Sequence, residues 1–187
     1  ALPIYAVAQS LNTVAWQLYD QLTPKVGLQY LKNMNFTGIV KDDYTLATSL
    51  GGFTKGASPL EMAAGFETIE NDGMYREPTC IKTIIDSDEN VVYASQMTEV
   101  SIYEQDAARM MTDVLTTVMD SGTGRSLKLK NMPCAGKTGT TNDHKDGWFV
   151  GFTRYYTTSV WVGCDYPKAI QNLSGSTYPG RIWNTYM

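Results

Sequence analysis

Apolar positions along this chain recur with two periods. In AQSLNTVAWQLYDQL, Val14, Ala15, Leu18 and Leu22 recur at helical spacing, with Ser10 and Asn12 just ahead, where such residues cap helices. Thr23-Pro24 is a second cap-and-proline start, and Val26, Tyr30, Leu31 and Met34 predict the buried side of a short helix. From Gly38 to Lys55 the pattern lapses into loop, bent at Gly51-Gly52. Ser58-Pro59-Leu60-Glu61 is a capping box, and Leu60, Ala63, Ala64, Phe66 and Ile69 carry its helix to a stop at Asn71-Asp72-Gly73. Ser101-Ile102-Tyr103-Glu104 repeats the box before Ala107, Met111, Val114, Leu115, Val118 and Met119, and Gly122-Thr123-Gly124 ends that helix.

Elsewhere the period is that of strands. Cys80 to Ile85 and Val91 to Tyr93 flank the polar turn Asp86 to Asn90, predicting a small peripheral hairpin. Cys134 to Phe152 reads as a strand, a polar turn and a returning strand. On the first strand Thr138 and Thr140 share one side and Lys137 and Gly139 the other. On the second, Trp148, Val150 and Phe152 oppose Phe149, which predicts burial on both faces. A third strand is expected from Tyr155 to Cys164, and a short helix near Tyr178 to Trp183 should cover the sheet. The class is α/β, in the α+β sense: an antiparallel sheet flanked by helices.

Composition narrows the function classes. A chain of 187 residues, 43% hydrophobic, can bury one sizeable core, so residues 1–187 are read as a single unit. A net charge of −4 leaves no basic stripe, and no nucleic-acid partner is expected. No apolar run approaches the roughly 20 residues that span a bilayer, so an export signal or anchor is expected to lie outside this sequence. Cys80, Cys134 and Cys164, with one histidine, lack metal-ligand spacing and read as small buried apolar residues, without a zinc site or disulfide framework. His144, in a polar turn, is expected to face solvent and to form no Ser-His-Asp triad. No cofactor is expected.

The segment GKTGTT admits two chemistries. A phosphate loop requires glycine where Asn131 stands and a helix after the lysine, whereas Thr-Gly-Thr-Thr-Asn-Asp is rich in β-branched and turn residues. The alternative takes Lys137-Thr138-Gly139 as the K-T-G signature of the penicillin-binding and serine β-lactamase superfamily.

Read in order, AQSLN, GASPLEMAAGFETIENDG, GTG, AGKTGTTND, DGWFVGFT, SVWVGCD and GSTYPGRIW resemble the C-terminal part of the transpeptidase domain of class A penicillin-binding proteins. The resemblance makes Ser10-Leu11-Asn12 the S-x-N signature and implies a D-Ala-D-Ala transpeptidase that cross-links peptidoglycan through an acyl-serine and binds β-lactams. It implies that Ser10 relays a proton, with Lys137 holding it by a charge-assisted hydrogen bond, and that Asn12 binds the substrate amide. It implies that Thr138 and Thr140, beside Lys137, hold the substrate carboxylate, and that the Thr140 N–H forms half of an oxyanion hole next to Gly139. The implied partners are a peptidoglycan stem peptide and β-lactams, and the implied location is the cell-wall side of a bacterial membrane to which the parent is anchored.

The family's first signature, S-x-x-K, is missing: no serine here has lysine three positions on. The chain is therefore expected to be an inactive fragment of a partial fold, without the nucleophile helix and the N-terminal strands. The strand at Thr157 to Gly163 should then expose an edge open to self-association or to a covering segment. A β-lactam sensor, a serine β-lactamase relative and a noncatalytic interaction module of the same fold are the alternatives. On the leading reading, Ser10, Asn12 and the lysine strand face one cleft.

Overall fold

The computed structural model describes residues 2–187. The chain begins with helices α1 (Leu2–Ala8), α2 (Asn12–Leu22), α3 (Pro24–Asn33) and α4 (Pro59–Glu70). Next come strands β1 (Met74–Arg76), β2 (Thr83–Ile85), β3 (Val91–Ala94) and β4 (Glu99–Ser101), then helix α5 (Gln105–Ser121). Strands β5 (Ala135–Thr140), β6 (Gly147–Phe152) and β7 (Thr157–Val162) lead to helix α6 (Tyr178–Tyr186).

The predicted apolar hairpin becomes the middle of the molecule. Strands β5, β6 and β7 form an antiparallel sheet in that order, with Lys137 opposite Val150 and Phe149 opposite Val160. On one face Ala135 and Phe152 pack with Leu115 and Val118 of α5, Phe66 and Ile69 of α4, and Val7 of α1. On the other, Cys134 and Phe149 meet Met119, Leu127 and Trp183 of α6. Phe149 and Trp183 are both 0% exposed, and their rings lie 4.8 Å apart. Burying Phe149 alone contributes up to about 3 kcal/mol. The Trp183 indole N–H donates to the Gly151 carbonyl at 3.1 Å, which satisfies its one polar atom. The outer edge of β7 has no strand partner among the described residues.

Local signals succeed where nothing distant competes with them. At the start of α4, Ser58 Oγ accepts from the Glu61 N–H and Glu61 Oε2 accepts from the Ser58 N–H, as the capping box requires. The second predicted box fails because Ser101 is already a strand residue, paired with Met74, and Glu104 stands at the N-cap of α5 without a side-chain cap. The buried stripe of α5 is Ala108, Leu115, Val118 and Met119, while Ala107 and Met111 are exposed. In α3 the buried residue is Leu28, with Met34 at its end, and Val26 and Tyr30 lie outside.

Helix α2 buries no side chain completely, contrary to its amphipathic pattern. Ala15, Leu18 and Leu22 instead line an open cavity of about 450 Å³ shared with Tyr30, Leu31 and Tyr103. Residues 38–55 are loop with short 3-10 turns, held by buried Asp43, whose carboxylate accepts from the Val40 N–H and from the Thr54 N–H and hydroxyl. The Thr54 hydroxyl foremost keeps that carboxyl below the usual range. Cys134 is buried as expected, but Cys80 is exposed and Cys164 half-buried. Among the described residues no helix is long and apolar enough to cross a membrane.

Candidate active site

Ser10 owes its position to the way α1 ends. The Leu11 N–H donates to the Ala6 carbonyl at 2.8 Å and the Ser10 N–H to the Val7 carbonyl at 3.1 Å, the two bonds of a Schellman motif. Such a motif needs a left-handed residue, usually glycine; here it is Ser10, at φ 56°. The capping role read for Ser10 or Asn12 is not found, because Leu11 occupies the N-cap of α2 and no side chain caps that helix. A serine held where glycine is favoured is a strained position, the kind that persists when its side chain is used.

Lys137 reaches that serine from the sheet, its Nζ donating to Ser10 Oγ at 2.7 Å across 127 positions of sequence. It also donates to the Thr138 carbonyl at 3.0 Å. Among the described residues Lys137 has no carboxylate partner within ion-pair distance, and burial pulls its ammonium from 10.5 to about 8. Because Ser10 accepts from Lys137, its own hydroxyl hydrogen is left to donate elsewhere.

The ladder decides which way the backbone of β5 faces. The Thr141 N–H donates to Asp146 across the turn, so by antiparallel alternation the Thr138 and Thr140 N–H groups turn toward the free edge of β5. Side chains alternate as well. Thr138 Oγ1 lies 2.6 Å from Thr123 Oγ1, and Thr140 Oγ1 accepts from the Gly175 N–H at 3.0 Å, which leaves the Thr140 hydroxyl hydrogen free. Gly139 lies between them, opposite Trp148. Asn12 is exposed at the first turn of α2, and its side chain makes no hydrogen bond among the described residues.

Two supporting segments were missed by residue-by-residue reading. The Thr123 N–H donates to the Ala8 carbonyl at 3.0 Å, so this threonine ties the α1 terminus to β5 through backbone and hydroxyl together. A Cβ at Gly122 would lie 2.2 Å from the Ala8 oxygen, so only glycine permits that approach. Gly175 likewise lies against the Trp148 carbonyl and the Gly139 nitrogen, where a Cβ would fall within 2.7 Å of both. The signals were the GTG and GSTYPG segments, legible only as part of the family pattern. His144 is exposed as expected, yet its Nδ1 lies 2.7 Å from the Leu173 carbonyl and fixes the β5–β6 turn to the 170–177 segment.

A sequence model described as the penicillin binding protein transpeptidase domain matches residues 3–185. The chain is 33% identical over 178 residues to penicillin-binding protein 4 of Bacillus subtilis, covering 95% of this chain and 28% of that protein. It is 35% identical over 184 residues to penicillin-binding protein 1A of Aquifex aeolicus, covering 98% of this chain and 25% of the relative. The chain thus spans about a quarter of the length of these relatives. Its fold is similar to penicillin-binding protein 1A of Haemophilus influenzae, with a TM-score of 0.86 at 20% identity over 98% of this chain and 33% of the other. It is also similar to the PonA1 protein of Mycobacterium tuberculosis in complex with penicillin V, with a TM-score of 0.84 at 22% identity over 97% of this chain and 54% of the other.

Proposed function

This chain belongs to the penicillin-binding protein transpeptidase domain family, and on that premise we propose that it forms one wall of an acyl-transfer site acting on D-Ala-D-Ala stem peptides and β-lactams. The observation that carries the reading is the 2.7 Å contact between Lys137 Nζ and Ser10 Oγ. Ser10 hands its free hydroxyl proton to the leaving nitrogen while Lys137, partly desolvated, holds the serine and replaces the proton. A lysine drawn to about 8 suits this exchange better than one near 10.5, because both of its protonation states are accessible near neutrality.

The Thr140 hydroxyl and Lys137 hold the substrate carboxylate, with Thr138 kept in place by Thr123. The Thr140 N–H, turned to the β5 edge, contributes one oxyanion donor, a group whose loss costs about 2.7–4 kcal/mol of transition-state stabilisation. Asn12, free of internal partners, receives the substrate amide. With no Ser-x-x-Lys in the sequence, the acylated serine is supplied from outside these 187 residues, in a longer protein working on the cell-wall side of a bacterial membrane.

Fluorescent penicillin tests this reading. A longer protein containing this segment and a preceding Ser-x-x-Lys should form a stable adduct, and residues 1–187 alone should form none. Labelling of the 187-residue chain itself would contradict the assignment.

A further inference from the structure

The β2–β3 hairpin takes no part in the site. Every residue of both strands is exposed, including Ile84 at 47% and Tyr93 at 46%, which face each other across the ladder. Isolated two-stranded hairpins are marginal in water, and an open β-branched edge invites pairing. Among the described residues β2 pairs only with β3, so its second edge is open.

Hydrogen bonding defines what that edge offers. The Lys82 carbonyl accepts from the Ser95 N–H at 2.8 Å and the Asp86 N–H donates to the Asn90 carbonyl at 3.0 Å, so Lys82, Ile84 and Asp86 turn their backbone groups toward β3. By alternation Thr83 and Ile85 present theirs outward. The side chains of Lys82, Ile84 and Asp86 share one face. Lys82 and Asp86 are exposed and, among the described residues, neither belongs to an ion pair; the Asp86 carboxylate accepts only from its own turn, through the Asp88 and Asn90 N–H groups and the Asn90 amide, and keeps its charge for an outside cation.

We propose that β2 pairs antiparallel with β2 of a second copy of this chain, about a two-fold axis through Ile84. Lys-Thr-Ile-Ile-Asp complements itself in that register. Each outward residue meets an outward residue, Thr83 facing Ile85 of the second copy, and their N–H and C=O groups close the ladder. Ile84 meets its own counterpart at the axis, extending the Ile84–Tyr93 pair into an apolar row across four strands. Lys82 faces Asp86 on both sides of the axis, in the closely spaced, non-hydrogen-bonded positions where opposite charges interact best. The same symmetry sends the tip carboxylates of Asp86, Asp88 and Glu89 to opposite ends, whereas parallel pairing would place six like charges together. One surface patch serves both subunits, so the assembly closes at a dimer.

The pairing does not depend on the chemistry assigned to the cleft. The test is site-specific oxidation in a Cys80→Ser, Cys164→Ser background, read on non-reducing gels beside sedimentation velocity. Ile84→Cys should give a disulfide-linked dimer rapidly, and Ile85→Cys should not, because Ile85 faces Thr83 rather than itself. Lys82→Glu, which sets two carboxylates opposite each other twice, should weaken the dimer roughly tenfold. A chain that sediments as a monomer at high concentration would overturn the proposal. So would Ile84→Cys cross-linking no faster than Val92→Cys on the neighbouring strand.

Discussion

The β5–β6 and β2–β3 hairpins share ladder chemistry and β-prone sequence, and each ends in a turn rich in aspartate, yet the molecule treats them oppositely. Helices cover both faces of β5–β6, and Phe149 and Val150 are buried to 2% exposure or less. Among the described residues β2–β3 enters none of the buried core clusters, and every residue in it is exposed. The difference lies in the neighbouring elements of the chain. Helices α5 and α6 flank the first hairpin and supply Leu115, Val118, Met119 and Trp183, whereas β2–β3 is bracketed by the short strands β1 and β4. A strand pair becomes a rigid platform for chemistry when its side chains are locked by packing, and remains an adhesive surface when they are not.

Substitution should separate the two most sharply. Phe149→Ala should cost about 3–5 kcal/mol in urea denaturation, while Ile84→Ala in the monomer stays within about 0.5 kcal/mol of the parent. Equal costs would erase the contrast.

Titration gives the next largest effect. Between about pH 8 and 10.5 the unfolded chain keeps the Lys137 proton and the folded chain releases it, so stability rises with pH across that window. Buried Cys134 and half-buried Tyr103, whose values burial raises, act in the opposite sense above about pH 9, so the comparison must be made with Lys137→Met. The parent minus Lys137→Met should rise by about 1 kcal/mol per pH unit, a figure already reduced for partial exposure. A flat difference would place Lys137 in ordinary solvent. Thr123→Val should cost about 1 kcal/mol, the worth of one half-buried hydrogen bond, and should slow β-lactam acylation of the longer protein through Thr138. Ser10→Gly sets two effects against each other, relief of the left-handed strain and loss of the Lys137 hydrogen bond, so stability should change by no more than about 1 kcal/mol while activity in the longer protein is lost.

Much of this was legible in the chain. Period-two alternation from Cys134 to Phe152 announced a doubly covered hairpin, and Ser58-Pro59-Leu60-Glu61 announced α4, because both signals are local and tertiary packing reinforces them. Where reading failed, a distant contact had overruled a local preference. Ser101 lost its capping role to the pairing with Met74, and in α5 the expected Leu115, Val118 and Met119 are buried while nearer the start Ala108, two turns before Leu115, faces inward in place of Ala107. The cap expected at Ser10 was a turn ending one helix rather than opening the next. Nothing in the residues around Ser10 reveals its hydrogen-bond partner 127 positions away; only the pairing of two family signatures did. Gly122 and Gly175 carry no local signal, since their role is to let two backbones approach, and Thr123 carries none because it joins segments distant in the chain.

The central claim is that Ser10 and Lys137 act as one unit in proton transfer, and a double-mutant cycle on β-lactam acylation of the longer protein measures it directly. Ser10→Ala and Lys137→Met should each slow acylation by about 10²–10⁴-fold, and the double variant should be little slower than either alone. Multiplied effects, with the double variant slower by the product of the two, would show that they act separately and would contradict the account.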